Sequence, residues 1–147
     1  MRTLFLILIS FFLLSSCSKS DDNNNNSFLP NIAFDTGSMI NTNLSQYNHL
    51  QFAGNFEIIN SPYGINGTVL FYAGGTNYNA FELSDPNHAL SSCSSLTVNG
   101  VIASCDCDDG NSYDILTGLG QEGTIGQYSL KRYFVEVNGN IIRIFNN

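Results

Sequence analysis

The sequence has no tryptophan, three prolines, two histidines and only five basic residues. Twelve acidic residues bring the formal net charge to −7. A chain so poor in cations repels phosphate, which excludes nucleic acid as a partner. Charged residues make up only 12% of the chain. With two histidines, a Ser-His-Asp triad would have to use His49 or His88, and no Gly-x-Ser-x-Gly pattern places a nucleophile. Gly118, Gly120, Gly123 and Gly126 share one segment, but no helical pattern follows them, so they form no phosphate loop. His49 sits beside Asn48 in a polar stretch and reads as a surface residue. The 147 residues suit one domain and exclude a multidomain enzyme.

What is present begins at the N-terminus. Met1-Arg2-Thr3 carries one positive charge, and Leu4 to Leu14 is apolar apart from Ser10. This run is too short for a spanning helix and reads as a secretory signal. Leu14-Ser15-Ser16-Cys17 resembles the lipobox of bacterial lipoproteins. The resemblance implies that residues 1–16 are a signal peptide and that Cys17 becomes the lipidated first residue. The partner implied is a membrane, reached through that anchor; several acyl chains hold stably where one is marginal. The expected location is the bacterial outer membrane, on its periplasmic or cell-surface face. Residues 17–27 hold Cys17 and a Ser/Asp/Asn-rich tether that has no apolar area to bury. Its Ser20-Asp21-Asp22 is similar to acidic surface-export signals of lipoproteins in one group of Gram-negative bacteria, and equally fits a solvated spacer.

Residues 28–147 read as an all-β domain. Short β-branched and aromatic runs alternate with turn dipeptides. Strands are expected at Phe52–Ile59, Thr68–Tyr72, Asn79–Leu83, Leu96–Val98, Val101–Ala103, Tyr133–Val137 and Ile141–Phe145. Asn66-Gly67, Asn99-Gly100 and Asn138-Gly139 supply the positive φ of type I′ turns. Asn43–Leu50 is a weak helical candidate, with Leu44, Tyr47 and Leu50 spaced by three. Tyr63, Tyr72, Tyr78 and Phe81 read as strand core and rim, with a binding surface as the alternative. A domain this long buries about two-thirds of its unfolded surface and needs neither metal nor disulfide to fold.

The order of elements from Ala80 to Asn140 resembles a Rieske-type iron–sulfur domain. In that family a first loop carries Cys-x-His and a second carries Cys-x-x-His before Gly and an aromatic. A Leu-x-x-Tyr-x-Val-x-x-x-Gly hairpin follows. The hairpin matches at Leu130, Tyr133, Val135 and Gly139. The second loop matches at Cys105, Cys107, Gly110 and Tyr113, with one extra residue before the glycine. The fold implied is a small Rieske-like antiparallel β barrel or sandwich with two cluster-site loops.

The ligand positions depart from the family. Asp85 stands where the first cysteine belongs, and Asn87 where the first histidine belongs, with His88 one place late. Cys105 is in place, but Asp108 holds the second histidine position. A Rieske cluster takes two thiolates and two imidazoles, so one ligand of four survives. Many family members also join an extra cysteine in each loop as a disulfide. Cys93 and Cys107 fall near those places, which implies that pair and leaves Cys105 over. Cys93–Cys105 is the rival pairing; Cys105–Cys107 is disfavoured, because neighbours two apart on a strand diverge. Cys105 reads as a small buried hydrophobe or as a relic ligand.

Other ligand sets are weaker. Asp106, Asp108, Asp109, Gly110, Ser112 and Asp114 concentrate oxygen donors suited to calcium. The glycine comes one place early and no glutamate closes the loop, so the same residues fit an acidic turn. His88, Cys93, Cys105 and Cys107 are zinc-type donors without zinc-type spacing. The expected function is a non-catalytic, lipid-anchored binding or accessory module with an unknown protein partner and no cofactor. The alternatives are an electron-transfer protein with an atypical [2Fe-2S] cluster at Asp85, His88, Cys105 and Asp108, and a calcium-stabilised surface module.

Overall fold

A computed structural model describes residues 28–147. The expected signal peptide, the lipidated Cys17 and the tether lie outside the described residues. Among the described residues, no helix is long and apolar enough to cross a membrane.

The domain is all-β and antiparallel. Its strands are β1 (Phe34–Asp35), β2 (Ile40–Asn41), β3 (Phe56–Ile59), β4 (Thr68–Gly74), β5 (Asn77–Glu82), β6 (Leu96–Asn99), β7 (Ile102–Cys105), β8 (Ser112–Asp114), β9 (Arg132–Asn138) and β10 (Ile141–Asn146). The larger sheet runs β1-β10-β9-β5-β4-β3, with β2 also on β10. The smaller runs β6-β7-β8.

Strand β4 shows why two cores form. Thr68 to Phe71 are all buried, although successive side chains of a strand point to opposite faces. Val69 pairs with Phe81 and Leu70 with Ala80 across β4 and β5. Val69, Phe71 and Phe81 join Leu83, Leu96, Ala103, Tyr113, Ile115 and Leu130 in one core, toward the small sheet. Leu70 and Ala80 join Ile40, Leu50, Tyr133, Ile142 and Ile144 in the other. Each large side chain buried this way contributes about 1.5–3 kcal/mol of transfer free energy.

Several local expectations are corrected. The Asn-Gly pairs do not form type I′ turns. Asn99 pairs with Ile102 and Asn138 with Ile141, so each asparagine ends its strand. Gly100 (φ 61°) and Gly139 (φ 59°) take the first central position, and no non-glycine residue described has positive φ, as type II′ turns require. Asn66-Gly67 closes no hairpin, because β3 ends at Ile59 and Gly67 packs where a Cβ would lie 2.8 Å from the Ile59 carbonyl oxygen. The Phe52–Ile59 run becomes a regular strand only at Phe56, although Gly54 and Asn55 already exchange backbone hydrogen bonds with Tyr72, and Phe52 is exposed. The Asn43–Leu50 candidate is a single 3-10 turn at Asn48–Gln51. Tyr47 and Leu50, at the start of the turn and within it, are buried, while Leu44, which precedes it, is exposed. That turn sets His49 against β3, half-buried, with Nε2 3.0 Å from Glu57 Oε2 and 3.1 Å from the Phe56 carbonyl, so it is not a free surface residue. Of the four aromatic residues noted at core and rim, Phe81 is buried and Tyr72 stacks on Tyr78 at 4.4 Å. Tyr63 meets the Phe34 ring edge-on.

Candidate functional site

Three loops converge beyond the end of β5. The first, residues 85–95, is pinned at both ends. Ser84 bridges Ser95, the Leu96 N–H donates to the Leu83 carbonyl at 2.8 Å, and the Asp85 N–H donates to the Ser94 carbonyl at 2.8 Å. The second, residues 106–111, is closed by the Cys105 N–H donating to the Asn111 carbonyl at 2.8 Å. The third, residues 115–131, is drawn in by the Leu130 N–H donating to the Gly118 carbonyl at 2.8 Å. A disulfide between Cys93 and Cys107 joins the first loop to the second, with the Cα atoms 4.9 Å apart.

Asp85 lies at the centre, fully buried. Its Oδ1 accepts from the Tyr113 hydroxyl at 2.5 Å and from the Asn87 N–H at 2.8 Å. Its Oδ2 accepts from Asn111 Nδ2 at 3.0 Å. Burial would otherwise heavily penalise an unpartnered carboxylate, and these donors replace the water it gives up.

The two asparagines carry the network outward. Asn87 Nδ2 donates to the Tyr113 hydroxyl at 3.0 Å and to the Tyr128 carbonyl at 2.8 Å, and its Oδ1 accepts from the Tyr128 N–H at 2.9 Å. Asn111 Oδ1 accepts from the Ile125 N–H at 2.7 Å. The amides therefore bind the third loop to the other two. Gly126 makes the close approach possible: at φ +117° a Cβ there would lie 2.2 Å from Asn87 Oδ1.

The residues singled out as cluster ligands do not stay together. Of the four, only Asp85 and Cys105 lie near enough for the carboxylate charge to act on the thiol. Cys105 is buried and free, 3.7 Å from the Cys93 carbonyl and 3.7 Å from Asp109 Oδ2. Burial pushes its thiol up to about 12, and the Asp85 and Asp109 charges add to the rise. Burial, then the hydrogen bond to Asp85, likewise holds the Tyr113 hydroxyl well above its ordinary range. His88 turns away to the disulfide, its Nδ1 donating to the Ala89 carbonyl at 2.6 Å. Asp108 is exposed.

The acidic run does not assemble as a calcium loop. Asp106 Oδ2 accepts from Thr97 Oγ1 at 3.1 Å, and Asp109 Oδ1 accepts from the Asn111 N–H at 3.0 Å. Asp114 Oδ1 accepts from the N–H groups of Leu116 and Thr117, each at 2.8 Å. Each carboxylate stabilises its own turn or strand pair. Among the described residues, no three of these carboxylates gather.

A second buried carboxylate, Glu82, has no motif in the sequence to announce it. It accepts from the Ile65 N–H at 2.7 Å, the Asn66 N–H at 2.9 Å and Ser84 Oγ at 2.8 Å, and from the Tyr133 hydroxyl. Its one signal is a lone charge inside the apolar run Ala80-Phe81-Glu82-Leu83.

Among solved structures, the chain is similar to the complex of reduced oxygenase and oxidized ferredoxin in carbazole 1,9a-dioxygenase. The two share 22% identity over 63% of this chain and 82% of that chain, with a TM-score of 0.42. A likeness at that level assigns neither family nor activity. No family model matches the chain, and no curated protein matches it.

Proposed function

We propose that the protein is a lipid-anchored envelope module with a Rieske-like β fold, in which a polar network stands where the family holds its cluster. It acts without catalysis, as a binding or accessory subunit for a protein partner. The observation that carries this reading is the saturation of Asp85: both carboxylate oxygens accept hydrogen bonds, from Tyr113 and Asn87 on one and Asn111 on the other.

A [2Fe-2S] cluster needs four ligands with free lone pairs, thiolates and imidazoles for preference. Here Asp85 and Asn87 are engaged on every polar atom of their side chains. Cys93 and Cys107 hold each other, which leaves Cys105 as the single thiol among the described residues. Asp108 is exposed, and His88 sits with the disulfide. These residues do not fit the cluster. The sequence resemblance supports the fold: Leu130 and Tyr133 take core positions, and Gly139 opens the β9–β10 turn.

Iron and acid-labile sulfide in the full chain test this, as isolated from an oxidising compartment and after oxygen-free reconstitution. The expected result is neither above background. Two irons and two sulfides per chain would overturn it.

A further inference from the structure

The disulfide has a third potential ligand beside it. The donor atoms of His88, Cys93 and Cys107 all lie within 4.8 Å of one another, each on a half-buried residue. Cys107 is shared with a second group, in which it lies within 4.8 Å of Cys105 Sγ and an Asp109 carboxylate oxygen. The chain spacing concealed this, because His88 and Cys93 come from the first loop, Cys105 ends β7, and Cys107 and Asp109 come from the second loop. From the structure we infer that reduction of Cys93–Cys107 opens a zinc site formed by His88, Cys93 and Cys107, with Cys105 or Asp109 completing the tetrahedron.

Ligand separations support it. Tetrahedral zinc, with bonds of about 2.0–2.3 Å, sets its donors roughly 3.5 Å apart or slightly more. The three donors of the first group, already within 4.8 Å of one another, need only a small closing movement, and the fourth ligand comes in from the Cys107 side. The two sulfurs need only part from bonding distance, without the loops separating. The histidine has one ring nitrogen engaged and one free to ligate. Its Nδ1–H donates to the Ala89 carbonyl, which leaves the lone pair on Nε2, the arrangement common among metal-ligating histidines. Ser91 Oγ lies 3.3 Å from Cys93 Sγ and 4.0 Å from Cys107 Sγ, placed to donate to a thiolate.

The chemistry balances. A dithiol reductant transfers two electrons and two protons to the Cys93–Cys107 bond and leaves as its own disulfide. Zinc then displaces the two thiol protons and bonds to both sulfurs. The loops stay tied in both states, by a disulfide when oxidised and by a metal when reduced.

Cobalt(II) tests this on the full chain, because tetrahedral thiolate coordination gives it intense visible bands. After treatment with a phosphine reductant, one cobalt per chain should bind with such bands, and zinc should displace it. The oxidised chain should give none. His88→Ala should weaken cobalt binding at least tenfold in the reduced chain. Circular dichroism would confirm that the reduced chain and this variant stay folded. If reduction alone unfolds the chain, cobalt added before the reductant should preserve the fold. No tetrahedral spectrum in either order of addition would overturn the site, as would an unweakened one in His88→Ala. The readout needs one metal and no sulfide, so it stands apart from the test for an iron–sulfur cluster.

Discussion

The Tyr113 hydroxyl donates to Asp85 Oδ1 at 2.5 Å, and both side chains are fully buried. One comes from β8 and the other from the first loop, 28 positions away. A short bond to a carboxylate is the stronger kind. Tyr113→Phe keeps the ring and removes the donor. Removing it should cost about 1.5–3 kcal/mol in urea unfolding. A loss below about 0.5 kcal/mol would show that the bond contributes nothing net.

Glu82 closes the turn before β4 from beneath. Glu82→Gln replaces an acceptor oxygen by an NH2 group that faces N–H donors. The expected loss is about 1–3 kcal/mol. Amide hydrogen exchange should speed up first at Ile65 and Asn66, whose N–H groups point at the carboxylate. Unchanged exchange at both would contradict this role.

Two glycines separate backbone strain from crowding. Gly123 has φ +92° and nothing within 4 Å of where a Cβ would lie, whereas a Cβ on Gly126 would strike Asn87. Gly123→Ala should cost about 1–2 kcal/mol, the penalty of the left-handed region. Gly126→Ala should cost about 1–3 kcal/mol more, because Asn87 must leave its partners. Equal melting temperatures for the two variants would contradict the packing of the third loop on the first.

Cys105 gives a pH dependence. Its thiol is pushed up to about 12 from an ordinary 9.0, first by burial and then by Asp85 and Asp109. The native state therefore keeps a proton that the unfolded chain releases. Stability from this group is complete below the ordinary thiol pKa and falls as pH rises from there to about 12. Native alkylation of Cys105 should stay slow at pH 9, and Cys105→Ala should flatten the alkaline loss of stability. Rapid alkylation at pH 8 would contradict its burial.

Legibility in the sequence followed the range of the interactions. Short apolar, β-branched and aromatic runs such as Val69 to Phe71 and Ile141 to Phe145 announced their strands, and the second also alternates in burial with a period of two. Strands β1, β2 and β8 are two or three residues long, too short to carry that period. The turns beside Asn99 and Asn138 shifted by one, because strand register decided them and not the dipeptide. Asp85 was visible as an anomaly in a motif. Its partners Asn111 and Tyr113 lie 26 and 28 positions away, and no local pattern links them.

The proton on the Tyr113 hydroxyl tests the central claim most directly. Proton NMR of the folded chain should show it far downfield and slow to exchange, absent in Tyr113→Phe, and unchanged after oxygen-free incubation with iron and sulfide. A resonance that is missing from the start, or that vanishes as iron binds, would contradict a site held together by its own hydrogen bonds.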